Sequence, residues 1–152
     1  GEWTQENGAL KGVELTSEKR PALLRHNAKF QDGVIELRFR LDGAYQFAVS
    51  FDSAEGHICR VVVQTTGFHL YRDSDAEKGR KGLTLANSGL AISSGEWHDL
   101  TLTFAASKFS AKIDGTTLTA NNAAFADPKI NVGLRVSGTF AAFDWIKVSK
   151  TP

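Results

Sequence analysis

Planar and hydrogen-bonding side chains recur at alternate positions along several stretches of this chain. The members of this set are Arg38, Arg40, Gln46, Arg60, His69, Tyr71 and Arg135. Such groups can bond hydroxyl groups that lie in a plane, and Tyr71 or His69 offers a flat surface for apolar C–H groups. If the strands that carry the set are neighbours in one concave sheet, they form a groove suited to a saccharide. The alternative is that they only cover a solvated sheet face.

Sequence patterns for catalysis are scarce in comparison. No Gly-x-Ser-x-Gly nucleophile elbow is present. Glycoside hydrolysis needs two carboxyl groups a few ångströms apart, and carboxylates at positions i and i+2 of a strand share a face. The neighbours of Glu36 on its face are Arg38 and Arg40. No catalytic carboxylate pair can therefore be identified, and whether the protein is an enzyme stays open.

Metal and thiol chemistry have few candidates. The four histidines show no ligand spacing. Asp144 interrupts an apolar strand, and a buried carboxylate needs a partner, which is a backbone N–H group, an arginine or a structural calcium ion. We expect no other cofactor. Cys59 is the single cysteine, which excludes an internal disulfide, and we interpret it as a buried, inert thiol.

The elements that must position these residues are short strands with period-two alternation. In the first clear run, Ile35, Leu37 and Phe39 alternate with charged residues, and similar runs follow to the end of the chain. Asp42-Gly43 predicts a hairpin between two runs. Residues 73–82 are polar and predict an exposed loop. We therefore predict a single all-β domain over residues 1–152, a two-sheet antiparallel β-sandwich.

The last run, residues 139–149, breaks the alternation. Phe143 and Trp145 fall on one face, whereas Ile146 and Val148 fall on the other. A bulge near Trp145, or a strand that is buried on both faces, would explain this change of parity. We expect the three tryptophans, including Trp3 and Trp97, to lie in the core or at seams between elements.

The net charge of the chain limits the classes of partner that we expect. The 18 basic and 17 acidic residues leave a net charge of +1, which gives no electrostatic reason to expect nucleic acid as a partner. No apolar run is long enough for a membrane span. No signal peptide is visible, and we expect one to precede Gly1 in the full-length protein, which would place the protein in the periplasm or outside the cell. It can equally be one module of a larger protein.

Five segments together resemble a known family. They are Phe30 to Leu41, with its Glu36-Leu37-Arg38-Phe39-Arg40 run, then Gly95-Glu96-Trp97-His98, Asp114-Gly115, Val132-Gly133-Leu134-Arg135 and Phe143-Asp144-Trp145-Ile146-Lys147-Val148. These segments are similar to motifs of the 3-keto-disaccharide hydrolase domain, formerly a domain of unknown function, over about residues 1–150. The resemblance implies a concanavalin A-like jelly roll that is usually exported, and of the candidate ligand residues only Arg40 matches the family motif.

Three functions follow as expectations. The first is a carbohydrate-associated domain that binds a saccharide on its concave sheet without catalysis. The second, which the resemblance implies, is a hydrolase of 3-keto-disaccharides or other glycosides. The third is a protein-interaction module of the laminin-G kind. The polar outward positions of the strands favour the first function. Several polar motifs of the family are replaced by other residues in this chain, which argues against the second.

Overall fold

The computed structural model describes all 152 residues and contains eleven β-strands and one short 3-10 helix. The strands are β1 Glu2–Glu6, β2 Ala9–Val13, β3 Ala22–Phe30, β4 Gly33–Ser53, β5 Gly56–Gln64, β6 Gly67–Arg72, β7 Leu83–Ser88, β8 Trp97–Ala105, β9 Lys108–Ile113, β10 Thr116–Asn121 and β11 Lys129–Lys150, with the 3-10 helix at Ala123–Ala126. All pairings between them are antiparallel. The fold contains no helix that could span a lipid bilayer.

Two long strands, β4 and β11, organise the fold because each runs through both layers. The first half of β4 pairs with β8, and its second half pairs with β5. Along β11, the first half pairs with β3 and the second with β2, while both halves pair with β4. We call the layer with β1, β2, β8, β9 and β10 sheet I, and the layer with β3, β5, β6 and β7 sheet II. This arrangement confirms the predicted all-β jelly-roll sandwich.

The core lies between the two sheets and is rich in phenylalanine. Phe39 of sheet I contacts Phe47 of sheet II with ring centroids 4.7 Å apart, and Phe51 of sheet II meets Phe104 of sheet I at 4.8 Å. The predicted inward residues Ile35, Leu37 and Phe39 are fully buried. Burying each such side chain contributes about 1.5–3 kcal/mol to the free energy of folding, so the strand register that places these residues inside is strongly favoured.

The predicted hairpin at Asp42-Gly43 is wrong. Strand β4 is continuous from Gly33 to Ser53 and bends at this point, where Gly43 adopts a φ of +94°. The two halves of the strand do not pair with each other, because each finds a different partner, β8 or β5. A register irregularity beside Ala44 leaves Tyr45 exposed, although the pattern predicted it on the apolar face.

The parity change near the end of β11 is a bulge, as one of the two alternatives predicted. The register against β4 shifts between Phe143 and Ile146. The shift leaves both Asp144 and Trp145 exposed. Trp145 is therefore not a core residue, whereas Trp3 is half-buried and packs against the core beside Phe143.

The 73–82 segment is a closed turn rather than a uniformly exposed loop. Asp75 and Arg80 exchange two backbone hydrogen bonds of 2.8 Å. Asp73, at its start, is buried. The polar composition correctly predicted a connection between strands, but not that its first carboxylate turns inward to meet an arginine.

Candidate functional site

The predicted polar set is divided between the two outer surfaces of the sandwich. Arg38 and Arg40 precede the bend at Gly43, and they lie on sheet I opposite Asp99 and Trp97 of β8. The remaining five are on sheet II: Gln46, Arg60, His69, Tyr71 and Arg135. The single polar stripe that we expected from alternation does not exist. The same alternate positions of β4 point outward before and after the bend, but the bend places these two parts of the strand on opposite sides of the molecule.

Arg40 is engaged within the protein. Its guanidinium donates to both carboxylate oxygens of Asp42, with N–O distances of 2.8–3.0 Å, and its Cζ lies 4.7 Å from the ring centroid of Trp97. The hydrogen bond to Asp42 raises the pKa of Arg40. Arg38 lies 5.8 Å from the same ring and is exposed. These two residues form a surface cluster around Trp97 that is separate from the other five.

On sheet II the outward side chains form rows across neighbouring strands. One row runs from Leu23 of β3 through Arg135, Ala48 and Val62 to His69 of β6. The next row contains, in order, Arg25 of β3, Gly133 of β11, Ser50 of β4, Arg60 of β5, Tyr71 of β6 and Thr84 of β7. We call the surface formed by Arg25, Arg60, His69, Tyr71 and Arg135 the arginine face.

The floor of the arginine face is made of small residues. Ala48, Ser50 and Gly133 are all buried although they point outward, because the longer side chains around them cover them. A Cβ added at Gly133 would lie only 2.5 Å from the Ser50 hydroxyl oxygen. Neighbouring strands are about 4.8 Å apart, so Arg25 and Arg60, one or two strands away, can extend their guanidinium groups over this floor.

Ion pairs hold two of the three arginines. Arg60 forms a close ion pair with the buried carboxylate of Asp73, and its Cζ lies 5.4 Å from the ring centroid of Tyr71. Arg25 pairs with Asp52 at 3.3 Å, and Asp52 also accepts a 2.6 Å contact from Nδ1 of His57. Both aspartates of this region are thus already paired with cationic groups.

Arg135 is different because its guanidinium has neither an ion pair nor a hydrogen bond. Its register neighbours, Leu23 and Ala48, offer no side-chain acceptor. Burial lowers its pKa, the positive charge of Arg60 lowers it further, and Asp73 opposes that change. Because no acceptor of this chain engages the Arg135 guanidinium, its N–H donors remain available to a ligand.

His69 lies three strands from Arg135 in the same row. Burial lowers its pKa, and the nearby charge of Arg60 lowers it further. The ring is therefore neutral at neutral pH and offers one donor and one acceptor nitrogen. Gln46 lies in the adjoining row, where its side-chain oxygen accepts a 3.1 Å hydrogen bond from Gln64.

Two buried polar atoms on this surface have no partner. They are Nε of Arg60 and the side-chain oxygen of Asn131, which is register-paired with Asp52. Buried polar atoms usually find a partner in the protein or in ordered water. Arg25, Ser50 and Asn131 were not predicted as site residues, because only the pairing of β3, β4 and β11 brings them beside Arg60.

The calcium prediction assumed that Asp144 is buried, and this assumption is wrong. Asp144 is exposed at the β11 bulge, so water satisfies its carboxylate and no partner is required. No group of three or more histidine, cysteine, aspartate and glutamate side chains could hold a metal ion. Cys59 is fully buried, and this burial raises its pKa well above the usual value, in agreement with an inert thiol.

A cavity of about 390 Å³ lies away from the arginine face. It opens where β3 faces the end of β11, and it is lined by Leu24, His26, Val132, Leu134, Ile146 and Val148. Only His26 among these residues is polar. A saccharide needs several hydrogen-bonding groups, so this cavity does not compete with the arginine face as a saccharide site.

Solved structures with the same fold are numerous. A carbohydrate-binding module, CBM66 from Bacillus subtilis, superposes with a TM-score of 0.80 at 15% identity, covering 99% of this chain and 92% of that one. Congerin II in a lactose-liganded form gives 0.66 at 14% identity over 85% and 99% of the two chains. Alginate lyase A1-II′ gives 0.69 at 12% identity over 98% and 83%.

These likenesses establish the fold and nothing finer. The chain matches no protein-family model, and no curated protein is significantly similar to it in sequence. The jelly-roll expectation is therefore confirmed, whereas the resemblance to the 3-keto-disaccharide hydrolase family stays a prediction.

Proposed function

We propose that this protein binds a saccharide on the arginine face of sheet II and does so without catalysis. The observation that carries the proposal is the meeting of Arg60, Tyr71 and Arg135 on one surface above a floor of small side chains. Planar donors bond the hydroxyl groups of a sugar, and the floor allows its ring to approach the sheet closely. Among similar folds, CBM66 is a carbohydrate-binding module and congerin II has been solved with lactose, which supports a saccharide as ligand.

The absence of turnover is part of the proposal. Asp52 and Asp73, the acidic side chains closest to the arginine face, are both engaged by cationic partners rather than free to exchange protons with a ligand. The hydrolase activity that the family resemblance implies is the alternative. It would require groups that these contacts do not identify.

A glycan array followed by calorimetric titration of each hit tests the proposal. We expect the wild-type protein to bind one class of saccharide, and Arg135→Ala to weaken that binding about 10-fold or more, as loss of a charged hydrogen bond predicts. The matched control is Arg38→Ala, which removes the same side chain from sheet I and should leave the affinity unchanged.

Three outcomes would contradict the proposal. Failure to bind any glycan, together with capture of a protein partner independent of sugar, would favour the laminin-G-like interaction module. Release of reducing ends from a bound saccharide, or hydrolysis of a 3-keto-disaccharide, would favour the hydrolase. Equal losses in Arg135→Ala and Arg38→Ala would move the site away from the arginine face.

A further inference from the structure

We propose that the saccharide bound on the arginine face carries an anionic group, a uronate carboxylate or a sulfate ester, and that Arg135 binds this group. The inference rests on the proposed function, since it names the chemical class of ligand for the same surface. It is carried by the arrangement of charges around Ala48, Ser50 and Gly133.

The charges on this surface do not balance internally. Asp73 is taken by Arg60 and Asp52 by Arg25 and His57. Arg135 lies between these pairs and has no ion-pair partner of its own. The charges of Arg60 and Arg25 lower its pKa, and those of Asp73 and Asp52 oppose this change. One half-buried positive charge is therefore left over.

A neutral sugar would not compensate that charge. Hydroxyl groups can accept hydrogen bonds from a guanidinium, but they supply no negative charge, and an uncompensated charge with limited access to water is costly. A carboxylate or sulfate accepts two parallel N–H bonds from arginine, which are shorter and stronger than neutral hydrogen bonds. The ligand that best fits Arg135 is thus an anion.

The surroundings of Arg135 favour an anion on a sugar over a free ion. Leu23, Ala48 and Val62 share its row and offer apolar surface, while Tyr71 and Arg60 form a flat stack one row away. A free anion would contact only the guanidinium. An oligosaccharide that carries the anion would also cover the small residues of the floor and could extend across β4 and β5 toward His69.

The test compares acidic saccharides with matched neutral ones by calorimetric titration. The probes are trigalacturonate and its fully methyl-esterified form, lactose 3′-sulfate and lactose, and the members of a glycan array that differ in one carboxyl or sulfate group. We expect at least one acidic probe to bind about 10-fold more tightly than its neutral counterpart, with the advantage reduced by added salt. The pair that shows the advantage identifies carboxylate or sulfate.

Arg135→Gln should remove that advantage, so that the acidic and the neutral probe bind to this variant with affinities within about twofold of each other, since glutamine keeps a donor and loses the charge. Arg38→Gln, on sheet I, is the control and should preserve the full advantage. Circular dichroism and thermal unfolding confirm that both variants fold.

The outcomes separate this inference from the proposed function. Equal or tighter binding of neutral probes overturns the inference and leaves saccharide binding intact. An acidic preference that survives in Arg135→Gln also overturns it, because another group then binds the anion. Binding of no saccharide, acidic or neutral, overturns the proposed function, and the inference with it.

Discussion

The guanidinium of Arg60 lies over the ring of Tyr71, with its Cζ 5.4 Å from the ring centroid. The two residues are register partners on β5 and β6. The same guanidinium pairs with the buried carboxylate of Asp73. Ring and carboxylate together hold Arg60 in one orientation over the floor of the arginine face, so it can meet a ligand without first losing side-chain freedom.

Removing the ring should weaken saccharide binding. Tyr71→Ala leaves Arg60 without its stacking partner, a contact of about 0.5–2 kcal/mol, so we expect the affinity to fall about 2- to 30-fold. Tyr71→Phe keeps the ring and serves as the control, with affinity near that of the wild type. Calorimetric titration measures both, and equal losses in the two variants would show that the hydroxyl rather than the ring matters.

Asp73 should be important for stability. In Asp73→Ala, Arg60 remains partly buried without its counterion, so we expect a loss of about 3 kcal/mol in the free energy of unfolding. Asp144→Ala removes an exposed carboxylate at the β11 bulge and should cost under about 0.5 kcal/mol. Urea denaturation compares the two, and similar midpoints would contradict the importance assigned to the Arg60–Asp73 pair.

His69 should make stability depend on pH. Because burial and the charge of Arg60 lower its folded-state pKa below the ordinary value of about 6.5, the unfolded chain binds a proton more readily than the folded one. Stability should therefore be lost as pH falls from about 6.5 through the lowered folded-state pKa. In His69→Gln this part of the pH dependence should vanish.

The measurement is the difference in unfolding free energy between wild type and His69→Gln, followed from pH 7.5 down to 4.5. If the difference does not change over this interval, His69 is not the desolvated group that the structure describes. The exposed His57 does not serve as a control, because it is bonded to Asp52.

Cys59 should be unreactive in the native protein. Its side chain is fully buried and its raised pKa keeps the thiol protonated. We expect Ellman's reagent to modify less than about a tenth of the protein in an hour under native conditions, and all of it in denaturant. Rapid native labelling would show that β5 opens locally.

The sequence predicted well which face of a strand a residue occupies, and poorly which strands pair with each other. Alternation assigned Ile35, Leu37 and Phe39 to the core, because a period of two follows directly from strand geometry. It could not tell that Arg40 and Gln46, both outward, end on opposite surfaces of the sandwich. That separation depends on the bend at Gly43 and on which strand pairs with each half of β4.

The arginine face was only partly predictable for the same reason. Arg60, His69, Tyr71 and Arg135 were predicted from their outward positions. Arg25 was missed because Leu23 and Leu24 stand side by side before it and hide the alternation of β3. Only the register of β3 against Gly133 of β11 places Arg25 in the row of Arg60.

If the proposal is correct, the bound saccharide occupies the outer surface of sheet II. The most direct measurement is a two-dimensional NMR titration of the uniformly labelled protein with the best-binding saccharide from the array. Binding at the arginine face should produce the largest shift changes at Ser50, Arg60, His69, Tyr71 and Arg135. Changes concentrated at Arg38, Arg40 and the indole of Trp97, with the arginine face unaffected, would contradict it.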